Sequence, residues 1–165
     1  LGSVPEFSLV DHQGRVVTRA EVLGRVWIAD FIFTRCAGQC PMMSAQMSRL
    51  AQALRAAPVA FLSFTVDPDY DSPSVLASYS RQYQADPARW RFVTGDAAAV
   101  RRLAQDGFKL SAADGGSAEE PIIHSRRFVL VDPLGRIRGY YDAAEPAEMA
   151  ALQRAARRLA AGASS

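Results

Sequence analysis

Apolar positions along the chain fall into blocks with two different periods. Residues 26–33 (VWIADFIF) and 59–66 (VAFLSFTV) are nearly continuous runs of β-branched and aromatic residues, the pattern of strands buried on both faces. Asp30 is the one polar interruption of the first run. Between the runs, Met43, Met47, Leu50 and Leu54 recur at helical spacing, with Pro41 tolerated in a first turn and Pro58 a natural stop, which predicts a helix over 41–57. Ser72-Pro73 reads as an N-cap and first-turn pair opening a helix to about residue 84. Residues 90–93 form a short strand, Asp96 caps a helix over 97–105, and Gly107 closes it. Runs at 128–131 and 136–141 flank Asp132-Pro133-Leu134-Gly135, a hairpin. Pro146 opens a last helix with Met149, Leu152, Ala156 and Leu159 on one face and Arg154, Arg157 and Arg158 outward. At the start, residues 7–18 alternate around Asp11-His12-Gln13-Gly14, a hairpin at the sheet edge. Residues 1–4 and 161–165 read as frayed ends, and 111–120 as a Gly, Ala and acidic loop.

Alternating strands and helices predict an α/β fold: a three-layer sandwich with a central mixed sheet, flanking helices and an N-terminal hairpin, forming a single domain over residues 1–165. In such a sheet chemistry gathers at the strand-to-helix turns. A length of 165 residues at 49% hydrophobic content is enough for one buried core. The net charge of +2 comes from basic residues, nearly all Arg, scattered along the chain, which gives nucleic acid no concentrated basic face to bind. No run approaches the roughly 20 apolar residues that span a bilayer. The chain begins Leu1-Gly2-Ser3 without Met, which reads as a processed or trimmed terminus from which an export or anchoring segment could have been removed.

The chemistry centres on the two cysteines. Cys36-Ala37-Gly38-Gln39-Cys40-Pro41 lies between a buried strand and a helix N-terminus, where backbone N–H groups and the macrodipole favour a thiolate, so at least one sulfur is expected to be unusually acidic. One helical turn would set the two Cα atoms about 6 Å apart, within the span a disulfide allows. The pair can therefore open and close, and so short a loop adds little stability. Two thiolates with one imidazole suit a soft monovalent copper ion, and the candidate imidazole is His124, at the end of the long loop. Spacing alone is silent on whether His124 reaches the pair. Structural zinc would need all four Cys and His residues of the chain, including His12, which reads as an exposed turn residue. Met43 and Met47 read as core, and Met42 faces away from them, where it could sit near the site. Asp67-Pro68-Asp69-Tyr70-Asp71-Ser72-Pro73 follows the second buried strand at the same sheet edge, where turn chemistry and helix capping compete with a carboxylate beside the metal.

Three segments in this order, DFIFTRCAGQCPMM, SFTVDPDYDSP and IIHSRRFVLVDPLGRIRGYYD, resemble the Sco/SenC family of copper chaperones. The resemblance covers nearly the whole chain and implies a thioredoxin-like fold. It implies that Cys36, Cys40 and His124 bind copper, as Cu(I) with Cu(II) a second candidate state, and that Asp67 and Asp71 lie near the site. The implied partners are an apo copper acceptor, cytochrome c oxidase subunit II with its binuclear copper site, and an upstream copper donor or thiol reductant. A membrane anchor upstream and the periplasmic face of the inner membrane are also implied. The sequence departs from the family in one respect, because Ala37 stands where many members have Pro after the first Cys. The backbone freedom at Gly38 then bears on reduction potential and copper affinity, and leaves the ligand set intact.

Copper delivery has three competitors. A thiol-disulfide oxidoreductase working through Cys36 and Cys40 needs the same acidic thiol, but thioredoxin-type catalysts space their cysteines one residue closer. Peroxide reduction is disfavoured because Thr34-Arg35-Cys36 lacks the Pro of a peroxiredoxin segment. A copper or redox sensor would use the same reversible site.

Overall fold

The computed structural model describes residues 2–36, 39–110 and 126–163, with the backbone alone at 39 and 163. Seven strands form one mixed sheet in the order β2-β1-β5-β4-β3-β6-β7. The two buried runs become β3 (Val26–Ile32) and β4 (Val59–Thr65), every residue of each buried. They pair in parallel with Ile32 opposite Thr65, and β4 pairs in parallel with β5 (Trp90–Thr94). The N-terminal hairpin, β1 (Ser8–Asp11) and β2 (Val16–Thr18), adds antiparallel beyond β5. The hairpin of β6 (Arg127–Val131) and β7 (Ile137–Asp142) adds antiparallel beyond β3.

Period-2 alternation sends each strand's side chains to two separate cores. Ile28 and Ile32 of β3, Phe61 of β4 and Phe92 of β5 pack with Met43 and Met47 of α2 (Gln39–Ala53), Leu76 of α3 (Pro73–Gln82) and Leu152 of α5 (Pro146–Ala163). Trp27, Ala29 and Phe31 of β3 pack on the other face with Val22 of α1 (Arg19–Val22) and Val100 of α4 (Ala97–Arg102). This is the expected three-layer arrangement. No described helix is long and apolar enough to cross a membrane.

Ser72 caps α3 by accepting from the Val75 N–H, and Asp96 caps α4 by accepting from the Ala99 N–H, as the sequence predicts. Four expectations are corrected. Residues 2–4 are tethered rather than frayed, because Val4 is buried and donates its N–H to Gly135, while Ile137 donates to Gly2. Residues 161–163 continue α5 as helix. The helix after Asp96 widens into a π turn over Leu103–Gly107, and the left-handed residue comes later, at Lys109, φ 60°. Gly107 is there for space: a Cβ would meet Pro5 Cδ at 2.8 Å. His12 is half-buried, accepts the Phe92 N–H through Nδ1 at 3.2 Å and stands edge-on to the Phe92 ring, and desolvation holds its pKa below the usual value. The loop at 111–120 and His124 lie outside the described residues.

Candidate metal and dithiol site

Parallel pairing of β3 and β4 brings two strand-to-helix connections to one edge of the sheet. The first runs from β3 through Thr34, Arg35 and Cys36 into α2. The second runs from β4 through 67–71 into α3. Asp71 joins them. It is fully buried, and its carboxylate accepts the Thr34 N–H at 3.0 Å, the Thr34 hydroxyl, and the Thr65 hydroxyl at 2.6 Å. Thr65 Oγ1 in turn accepts the Asp67 N–H. The turn that presents Cys36 is thereby fixed two residues before the sulfur.

Both cysteines are free thiols. Cys36 is half-buried, its N–H donated to the Phe33 carbonyl at 3.2 Å. Cys40 is only 2% exposed and points into the core with Met43 and Ile32. Met42 is partly buried and packs against the same cluster as Cys36. The expected acidity does not hold for Cys40. Burial pushes its thiol well above the ordinary range, the neighbouring Cys36 thiol and the Asp30 carboxylate add to this, and a backbone hydrogen bond from Phe33 opposes it without prevailing. The helix N-terminus favours a thiolate, but an inward-pointing sulfur loses more hydration than the dipole returns.

Beneath the pair lies a buried polar chain on the same sheet face. Asp30 is fully buried in β3, and its Oδ1 accepts the Ser63 hydroxyl at 2.6 Å, while Ser63 Oγ accepts the Trp90 indole N–H at 3.0 Å. Asp30 Oδ2 is buried without a hydrogen-bond partner in the structure. Desolvation raises the Asp30 pKa to about 7, against a lowering by the Ser63 bond.

On the solvent side, Arg35 donates from Nη2 and Nε to Asp67 Oδ2 at 2.8 and 3.1 Å, and its guanidinium lies 4.3 Å over the Tyr70 ring. The structure therefore brings together Cys36, Cys40, Asp67 and Asp71 of the predicted site residues. Asp67 and Asp71 are committed to hydrogen bonds inside the fold. Among the described residues no three His, Cys, Asp or Glu side chains form a metal-holding group. The two free thiols remain two candidate donors, and His124, the third candidate, lies outside the described residues. Sequence reading missed Thr34, Thr65, Arg35 and Tyr70. The signal for the threonines was a pair of hydroxyls at the ends of two apolar runs, next to an acidic turn.

The chain matches the SCO1/SenC family model over residues 3–159. It is 34% identical over 145 residues to the SCO1 protein homolog of Bacillus subtilis, covering 86% of this chain and 75% of that protein. It spans about half the length of two mitochondrial SCO2 homologs that it matches, 55% of the Bos taurus protein and 50% of the Danio rerio protein. Among solved structures, BsSco, described with a disulfide switch and as a member of the Sco family of cytochrome c oxidase assembly proteins, superposes with a TM-score of 0.85 at 30% identity, covering 97% of this chain and 94% of that one. A SCO1/SenC family lipoprotein of Bacillus anthracis gives a TM-score of 0.86 at 27% identity, covering 96% and 95%.

Proposed function

The chain belongs to the SCO1/SenC family, and from that premise we propose that it binds copper through Cys36, Cys40 and His124 and delivers it to the binuclear copper site of cytochrome c oxidase. The observation that carries this reading is the pair of free thiols, one half-exposed and one buried, at a turn braced by the Thr34–Asp71–Thr65 hydrogen bonds. A soft, thiolate-rich site of low coordination number suits monovalent copper as cargo. A half-exposed Cys36 suits direct ligand exchange with an acceptor, while buried Cys40 keeps the ion from solvent. The same two thiols can give two electrons to an acceptor disulfide, closing to a Cys36–Cys40 disulfide while the acceptor S–S bond breaks and its two sulfurs take up the two protons, which would prepare acceptor cysteines for metal. BsSco, a relative with a disulfide switch, supports that second capacity.

The test is anaerobic titration of the reduced protein with monovalent copper against a competing chelator. Wild type should bind one ion, and Cys36→Ser, Cys40→Ser and His124→Ala should each weaken binding at least tenfold. Affinity indifferent to His124→Ala would remove the three-ligand site.

A further inference from the structure

At the sheet edge that carries Cys36 stands a side chain that neither copper ligation nor dithiol chemistry uses. Among the described residues, three large apolar side chains are exposed: Val16, Tyr70 and Leu134. Val16 lies on edge strand β2, four strands away from β3 in the sheet order. Leu134 lies in the turn after β6, which runs antiparallel to β3 and so ends at the opposite edge of the sheet from Cys36. Tyr70 alone of the three is at the Cys36 edge, and it is 47% exposed.

Tyr70 is also held rigidly. Its N–H is donated to the Asp67 carbonyl at 3.2 Å, its carbonyl accepts the Ser72 N–H at 2.9 Å, and the next residue is the buried Asp71. The guanidinium of Arg35, the residue immediately before Cys36, stacks on its ring at 4.3 Å. Such bracing removes the ordering cost that a mobile surface aromatic would incur on binding, and Tyr and Arg are the residue types that concentrate binding energy in protein interfaces. The charge pattern narrows the partner. The Arg35 charge is met within the patch by Asp67 at 2.8 Å, so the ring does not present a bare cation. Asp69, exposed at the tip of the same turn, has no ion-pair partner among the described residues.

We propose that Tyr70, braced by Arg35, is the docking anchor for the thiol-bearing protein that exchanges copper with Cys36, which lays an apolar side chain on the ring and sets a basic group opposite Asp69. The inference rests on the copper-delivery reading. In the docked pair, each copper–sulfur bond broken at this site is replaced by one to the partner. The partner thiol's proton passes to the released thiolate, and the oxidation state of copper does not change. The anchor holds the two sets of ligands together during that exchange and contributes no ligand itself.

The experiment uses chromosomal substitutions in the protein's own strain, scored by the copper content and activity of purified cytochrome c oxidase. Protein levels are followed by immunoblot, and copper affinity of each purified variant is measured by the titration described above. Tyr70→Ala should bind copper as wild type does yet lower oxidase copper at least tenfold. Tyr70→Phe should keep the wild-type level, because the ring and not the hydroxyl is the anchor. Asp69→Lys should lower oxidase copper at least threefold with copper affinity unchanged. Wild-type oxidase copper in either Tyr70→Ala or Asp69→Lys would overturn the anchor while leaving copper delivery standing. Wild-type oxidase copper in a strain deleted for the whole chain would overturn copper delivery and the anchor with it.

Discussion

Asp67 and Asp71 have the same side chain, sit four residues apart and do different work. Asp71 is fully buried and takes three hydrogen bonds from Thr34 and Thr65, two of them from the residue that starts the Cys36 turn. Asp71→Ala strands those donors in a dry site and should lower stability by about 3 kcal/mol, read as a fall in the urea midpoint. Asp67 pairs with an Arg35 side chain that is 57% exposed, so Asp67→Ala should cost under about 1 kcal/mol. Equal losses for the two variants would refute this division. From sequence the two acids were indistinguishable, both belonging to a turn after a strand, because burial depends on which one the neighbouring connection closes over. The cysteines were legible for the opposite reason. Their chemistry depends on local spacing at a strand-to-helix turn, whereas the inward direction of Cys40, and so its raised pKa, depends on which way the first turn of α2 faces.

The elements carrying the two apolar periods were readable to within a few residues, since β3, β4 and α2 are set by burial patterns that tertiary context reinforces. Elements held by particular contacts were not readable. Helix α1 spans four residues, Arg19–Val22, too few to show a period, and its signal is the capping box of Thr18 and Glu21. The π turn Leu103–Gly107 looked like a plain helix end because Gly107 suggested a left-handed cap. Its actual constraint comes from Pro5, about a hundred residues earlier in the chain. A Cβ at position 107 would sit 2.8 Å from Pro5 Cδ and 3.2 Å from Leu103 Cδ1, and a proline ring cannot swing aside. Gly107→Ala should therefore destabilise the fold by about 2 kcal/mol, despite the better helix propensity of Ala, and the N-terminal segment should gain amide exchange. An Ala variant as stable as wild type would show that the segment yields freely.

For the whole molecule, three buried acids act on stability in opposite pH directions. Asp11 and Asp132 are desolvated, which alone would raise their pKa values, but Arg15 and Gln13 N–H groups with Arg91 on Asp11, and Arg136, Arg138 and Leu134 on Asp132, lower both below 3.8. Their contribution is present above the unfolded value and is lost as pH falls through the folded one. Asp30 has the reverse sign: its folded value of about 7 lies above the ordinary 3.8. Its cost is absent below the unfolded value, grows as pH rises between the two and is complete above the folded value, on the order of 4 kcal/mol. Stability of the reduced, metal-free protein should therefore peak near about pH 4, where Asp11 and Asp132 are ionised and Asp30 is neutral, decline between about pH 4 and 7, and level off toward pH 8. Urea unfolding across pH 3 to 8 checks this, and Asp30→Asn supplies the control. The amide cannot ionise, so the variant should keep the acid limb and lose the decline above about pH 4, gaining most on wild type above about pH 7. A parallel decline in both proteins would place the cost elsewhere and mean that Asp30 Oδ2 finds a partner in solution. If the difference opens as predicted, the one polar interruption of β3 is a destabilising group kept within the same core as Cys40.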